Sequence, residues 1–356
     1  MRRSRSPSSS RGPGRRPVWA SWPDERLLDL RFCDLGVQIE GTWVQERIEQ
    51  LQADLAGRGL RFRPHFWISS EWFSPTDVPG VALPFYLLHP RLMLLERRQM
   101  FEVDGGSREG CLKILRHETG HAIQRAYGLQ RRRRWQQLFG RSSKKYPDMY
   151  RPDPASRRFV QHLRLYYAQA HPDEDFAETF AVWLRPRHVW RRRYADWAAI
   201  EKLEYVDELM AEIAGKAPAV RRRKPVDPLD TLTTTLREHY AERRKDLPPS
   251  ALDVFDADLR KVFAGRGASS REVAERGQSA SRFLRRHRSR IRRLVRRWTG
   301  AYEFTLDDTM DEMIRRVREL DLRATGDEQE LLADFAMMLA VDATHALYSK
   351  KHWVPL

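Results

Sequence analysis

The sequence predicts an α+β protein in which a small twisted sheet with helices packed on it is followed by a mostly helical C-terminal region. Three observations carry this. Phe62 to Phe73 alternates apolar and polar residues and is rich in aromatics, the period-two pattern of a strand with one buried face. Leu112, Leu115, Ala122, Ile123 and Ala126 recur at the three-to-four spacing of a helix buried along one side. Beyond residue 228, every periodic stretch has helical spacing.

Taken in order, Met1 to Pro17 is Arg, Ser, Pro and Gly with no apolar segment after it, which reads as a disordered basic arm and not a signal peptide. A first domain is expected over 18–214. Within it, Arg26 to Phe32 reads as a strand or short helix. Thr42 to Leu55 reads as an amphipathic helix ending near Gly57 and Gly59, and Ala82 to Leu95 as one or two strands interrupted by Pro90. Gly128 stops the helix that runs through Ala126. Leu129 to Gln169 is long, basic and proline-containing, and is expected to form helical excursions. Ile200 to Ile213 is a further helix. The Pro- and Arg-rich stretch from Gly215 makes 215–228 a linker. An accessory helical domain is then expected over 229–356, with helices at Leu229 to Arg244, Ser250 to Phe263, Arg282 to Trp298, Leu306 to Leu322 and Asp327 to Ser349.

The most informative stretch is His117-Glu118-Thr119-Gly120-His121. Histidines at i and i+4 share a helical face, so both imidazoles can reach one metal ion, with Glu118 beside them as a base. The pentapeptide is short enough to recur by chance on a solvated face. Here it lies inside an apolar stripe, where two histidines and a glutamate are costly to bury without partners. A catalytic zinc site needs a third protein ligand and an open fourth position, and no histidine follows closely. A second helix supplies carboxylates: His171-Pro172-Asp173-Glu174-Asp175-Phe176-Ala177-Glu178, continuing to Leu184. Pro172 and the acids suit a first helical turn. Glu174 is the expected metal ligand. Glu178, one turn on and on the same face, is expected to orient a ligating histidine. Asp175 and His171 point off that face and are weaker candidates.

With both motifs in view, the chain resembles the bacterial zinc-binding metallopeptidase family, whose second motif reads much like E-D-F-A-E-T-F-A. More distantly it is similar to the catalytic domain of anthrax lethal factor. The resemblance covers roughly Arg31 to Ala214. It implies a zincin-like catalytic domain of the gluzincin type, HExxH...E, with His117, His121 and Glu174 as zinc ligands and Glu118 as general base. It also implies a tyrosine shortly before the ligand glutamate that assists the transition state. Tyr166 and Tyr167 lie in that region, and Tyr167 has the matching offset. In zincins an edge strand above the active-site helix holds substrate by backbone pairing, for which Ala82 to Leu95 is the natural candidate.

The formal charge is +16, concentrated in the arm, Arg131 to Arg134, Arg191 to Arg193, Arg221 to Lys224, and Arg282 to Arg297. The last block is an amphipathic helix whose polar side is almost all arginine. It reads either as a solvated bundle face or as an anion-binding surface. Trp190, Tyr194 and Trp197 among arginines read as packing of a helix end. Cys33 and Cys111 make no disulfide framework, and Cys111 is expected to be buried. No apolar run is long enough to span a membrane, and the cytoplasm is the expected location. The function expected is a zinc-dependent metallopeptidase acting on a peptide or protein substrate, with arginines near the site favouring acidic residues. Two alternatives stand beside it: a zinc hydrolase of a non-standard amide, and a basic protein that binds nucleic acid or an anionic surface and keeps a structural metal.

Overall fold

The computed structural model describes residues 17–100, 103–246, 256–263, 278–299, 303–348 and 354–355. The arm expected over Met1 to Pro17, apart from Pro17, and the start of the helix expected at Ser250 lie outside them. The chain divides into two compact units, Met1–Leu129 with Glu208–Asp246, and Gln130–Asp207 with Leu247–Leu356. Among the described residues, no helix is long and apolar enough to cross a membrane.

The chain begins with α1, Asp24–Leu28, whose first turn carries Asp24 and Glu25 where the helix dipole favours acids. Helix α2, Trp43–Gly57, buries Val44, Ile48, Leu51 and Leu55, the 4-3-4 spacing of one face. It stops where Gly59 takes a φ of +75°, which costs a glycine little. Strand β1, His65–Ser69, then pairs in parallel with β2, Gly80–Pro84, with His65 opposite Gly80 and Ser69 opposite Pro84. A Cβ at position 80 would lie 2.6 Å from the His65 carbonyl oxygen, so glycine is required for the approach.

The sequence expectation fails for most of Ala82 to Leu95. The strand ends at Pro84, Phe85–Leu88 forms a 3-10 turn, and α3 spans Pro90–Met100. Pro90 begins this helix instead of interrupting a strand, because a proline at the first helical position loses no hydrogen bond. The Arg91 amide donates to His89 Nδ1 at 3.1 Å and so is satisfied at the helix start. Nor does β2 offer the free edge expected for substrate pairing. It is buried along its length, with β1 on one side, and the Ala82 amide donates to the Phe73 carbonyl at 2.8 Å on the other.

Helix α4, Arg108–Ala126, packs on α2 and β2. There follow α5, Arg133–Phe139; β3, Met149–Tyr150; α6, Pro172–Trp183; α7, Arg187–Tyr194; and α8, Ala199–Ile213. On α7, Trp190 and Tyr194 are each 1% exposed, so these aromatics pack and their arginines face out. The helix expected from Leu229 to Arg244 is shorter, because it is delayed by a 3-10 turn at Leu229–Thr231. Thr235 then forms a capping box with Glu238 and starts α9, Leu236–Arg243. Helix α9 packs on α1 and α3, where Arg243 Nη1 meets the buried Glu96 carboxylate at 2.8 Å.

The last described elements are α10, Asp256–Phe263; β4, Gln278–Ser279; α11, Ala280–Thr299; α12, Glu303–Glu319; β5, Arg323–Ala324; α13, Glu328–Tyr348; and β6, Val354–Pro355. Their core includes Phe263, Phe283, Ile291, Met310 and Phe335, each buried side chain contributing roughly 1.5–3 kcal/mol. A bidentate pair from Arg316 to Asp256, at 2.5 and 2.6 Å, ties α12 to α10.

Candidate metal centre

The first half of the site is α4. Ser107 caps it, its hydroxyl accepting from the Gly110 amide at 3.0 Å. Glu109 in the first turn and Arg125 in the last suit the helix dipole. Cys111, Leu115, Ala122, Ile123 and Ala126 are fully buried and fix which side faces inward. Burial pushes the Cys111 thiol up to about 12, so it is a packed, protonated side chain. That orientation leaves His117 2% and His121 7% exposed, while Glu118 keeps partial access to solvent.

The second half is α6. His171 is its cap, with Nδ1 accepting from the Asp173 amide at 3.1 Å, and Pro172 takes the first helical position. Since Nδ1 accepts, the proton sits on Nε2, which donates to the Lys144 carbonyl at 2.7 Å. His171 is thereby committed to the helix start. Every residue of α6 after Pro172 is buried, including Glu174 at 4% and Glu178 at 0% exposed. Asp175 is held by Lys202, Nζ to Oδ2 at 2.6 Å. Burial nevertheless pushes its carboxyl up to about 6.

One ligand atom from each of His117, His121 and Glu174 lies within 4.8 Å of the other two, the arrangement of a metal-binding cluster. The two Nε2 atoms are 3.2 Å apart. Two nitrogens bound at 2.0–2.1 Å to a tetrahedral zinc ion stand about 3.3 Å apart, so the imidazole spacing fits such an ion. The donor set also fits, with two neutral nitrogens and one carboxylate oxygen, all buried. Among the described residues the cluster has three members, the number that leaves one position of a four-coordinate ion open.

Around this cluster lie further groups, of which Tyr146 and Tyr150 were not singled out in the sequence. The Tyr146 hydroxyl donates to Glu174 Oε1 at 2.8 Å, and its ring stacks on His171 at 3.7 Å between centroids. The Tyr150 hydroxyl donates to the Leu165 carbonyl at 2.8 Å. Burial, with the Glu178 and Glu174 carboxylates adding to it, holds that phenol well above its ordinary pKa. Glu178 Oε2 accepts from the Leu163 amide at 2.8 Å. Leu165 and Tyr166 both have φ of +57°, a left-handed conformation that costs roughly 1–2 kcal/mol per residue. The Glu178–Leu163 and Tyr150–Leu165 bonds brace the chain entering this kink. Tyr167 follows directly, its ring edge-on to Tyr150 at 6.5 Å between centroids. Tyr146 and Tyr150 stand in a segment with no periodicity; only the tyrosines themselves were there to be noticed.

Neither a curated protein nor a solved structure matches the chain. Residues 102–210, which hold the whole of α4 and α6 and thus all three members of the cluster, match the family model described as "Putative zinc-binding metallo-peptidase".

Proposed function

We propose that this protein is a zinc-dependent metallopeptidase of the glutamate-completed kind, with His117, His121 and Glu174 holding the ion. The observation that carries the reading is the convergence of these three buried side chains from two helices of the family-matched segment. When bound, zinc would supply Lewis acidity at the scissile carbonyl and would lower the pKa of a bound water to about 7.

The chain's own residues do the rest. Glu118, beside the ligand face and partly open to solvent, accepts the proton of the attacking water and delivers it to the leaving amine. Tyr167, on the braced kink, donates to the oxyanion that develops on the carbonyl, a role suggested by the likeness to the lethal factor catalytic domain. Glu178 holds the Leu163 end of that segment and is proposed to orient a ligating imidazole as well. Tyr146 fixes one oxygen of Glu174. The substrate is a peptide or protein. Exposed arginines at 131, 133 and 134 are proposed to favour acidic residues in it.

A peptide library incubated with the zinc-loaded protein tests this. Cleavage should stop on chelation and return with zinc. The Glu118→Gln variant should keep its zinc but lose about 10²- to 10⁴-fold in rate. Full activity in Glu118→Gln would contradict the assignment of the base.

A further inference from the structure

Among the described residues, one face of α11 carries exposed arginines that the proposed chemistry does not use. Phe283, Leu284, Ile291 and Val295 point into the helical core. Arg288 is held by Asp307 and Asp311 of α12, and Arg292 by Asp307 at 2.7 Å. The remaining arginines face water. At 100° per residue, Arg282, Arg285, Arg286, Arg290, Arg293, Arg296 and Arg297 fall within an arc of about 140°, and all seven are exposed. Arg286 comes only within 3.9 Å of Glu328. Among the described residues, Arg282, Arg285, Arg290 and Arg293 have no acidic neighbour within ion-pair distance. Like charges at i,i+3 and i,i+4 repel and destabilise a helix, so this face is better matched when an anion covers it.

The charge density points to the class of anion. Residues 282 to 297 span about 22 Å of helix, so the seven charges come at one per about 3 Å. Each strand of a nucleic-acid duplex carries one phosphate per about 3.4 Å of helix axis, so the arc has the charge density of a nucleic-acid backbone. One residue past Arg297, and about 80° round the helix from the edge of the arc, stands Trp298, 77% exposed, with the Arg297 guanidinium 5.6 Å from its ring centroid. An exposed indole beside a guanidinium is a stacking platform for an unpaired base. A lipid surface fits less well, because the apolar side that would insert is buried in the core. An acidic peptide would leave the indole without a flat partner.

We propose that α11 binds single-stranded nucleic acid, with phosphates along the arginine arc and an unpaired base stacked on Trp298 beside the end of that arc. The inference stands independently of the peptidase reading. The test is anisotropy of a labelled oligothymidylate of about twelve nucleotides with the full-length, zinc-loaded protein, titrated between about 50 and 200 mM salt. Six or seven phosphate contacts predict a slope of log K against log salt of about −4 to −5. Replacing Arg282, Arg285 and Arg293 together by Gln should weaken binding more than about tenfold at low salt and flatten the slope by about 2. Trp298→Ala should weaken binding without changing the slope. Replacing Arg221, Arg223 and Lys224 by Gln removes the same charge elsewhere and should leave binding intact, with circular dichroism confirming folding of both triple variants. Absence of binding at low salt, or equal weakening by the second triple, would overturn the proposal. So would tighter binding of duplex, anionic vesicles or polyglutamate than of the single strand.

Discussion

Glu174 illustrates how one side chain is made ready by its neighbours. Its carboxylate is 4% exposed at the start of α6, with one oxygen accepting the Tyr146 hydroxyl, and Tyr146 is itself stacked on the capping His171. A group that orients a metal ligand typically changes metal affinity by 10- to 100-fold when removed. Tyr146→Phe removes the hydroxyl and keeps the stacking, so zinc affinity should fall by about 10-fold in competition with a chromophoric chelator. An unchanged affinity would mean that Tyr146 is only a lid of packing on α6. The sequence showed His117, His121 and Glu174 because spacing on a helix is geometry that can be counted. It could not show Tyr146 or Tyr150, because a loop residue reaches its partner through tertiary folding that leaves no periodic trace.

At the scale of elements, the parts legible beforehand are those stabilised locally. The helix ending near Gly57, the helix through the His117 motif and the proline-initiated α6 each announce their face by apolar spacing and their ends by caps. Where tertiary context decides, the reading failed. Phe85–Leu88 and Leu92 are all buried, and a fully buried apolar run looks alike as strand or helix until its length and its proline are placed. The capping box of α9 was legible in principle, as Thr235 followed three residues on by Glu238. Thr235→Ala should cost about 1 kcal/mol in urea unfolding, and no loss would mean that packing on α1 and α3 alone holds this helix.

The same helix carries a pH dependence. His239 sits edge-on to Phe32 and Phe85, and burial, aided by the Arg243 charge, lowers its pKa to about 4. Unfolded histidine titrates near 6.5. The folded value is the lower one, so its contribution is fully present above pH 6.5 and is lost as pH falls from there through 4. Stability should therefore drop by about 3 kcal/mol over that window from this residue. Urea unfolding at several pH values should show a shallower decline in His239→Leu than in the wild type.

For the whole molecule, the central matter is the ion. Three buried polar side chains converge on one point, and binding an ion only in the folded state stabilises that state. At free zinc a hundredfold above its dissociation constant, the gain should be about 2.7 kcal/mol, visible as a rise in unfolding temperature that Glu174→Ala abolishes. The +16 charge belongs to this scale too. It is distributed between arginines consumed in ion pairs, as on α12, and arginines displayed on one face of α11, a distinction that composition alone conceals.

The proposed zinc centre is tested by the metal content of the purified protein, measured by elemental analysis after dialysis against metal-free buffer. It predicts one zinc per chain in the wild type and in Glu118→Gln, and loss of that zinc in Glu174→Ala. A wild type without stoichiometric zinc, or a Glu174→Ala variant that retains it, would contradict the assignment of His117, His121 and Glu174 as a metal centre.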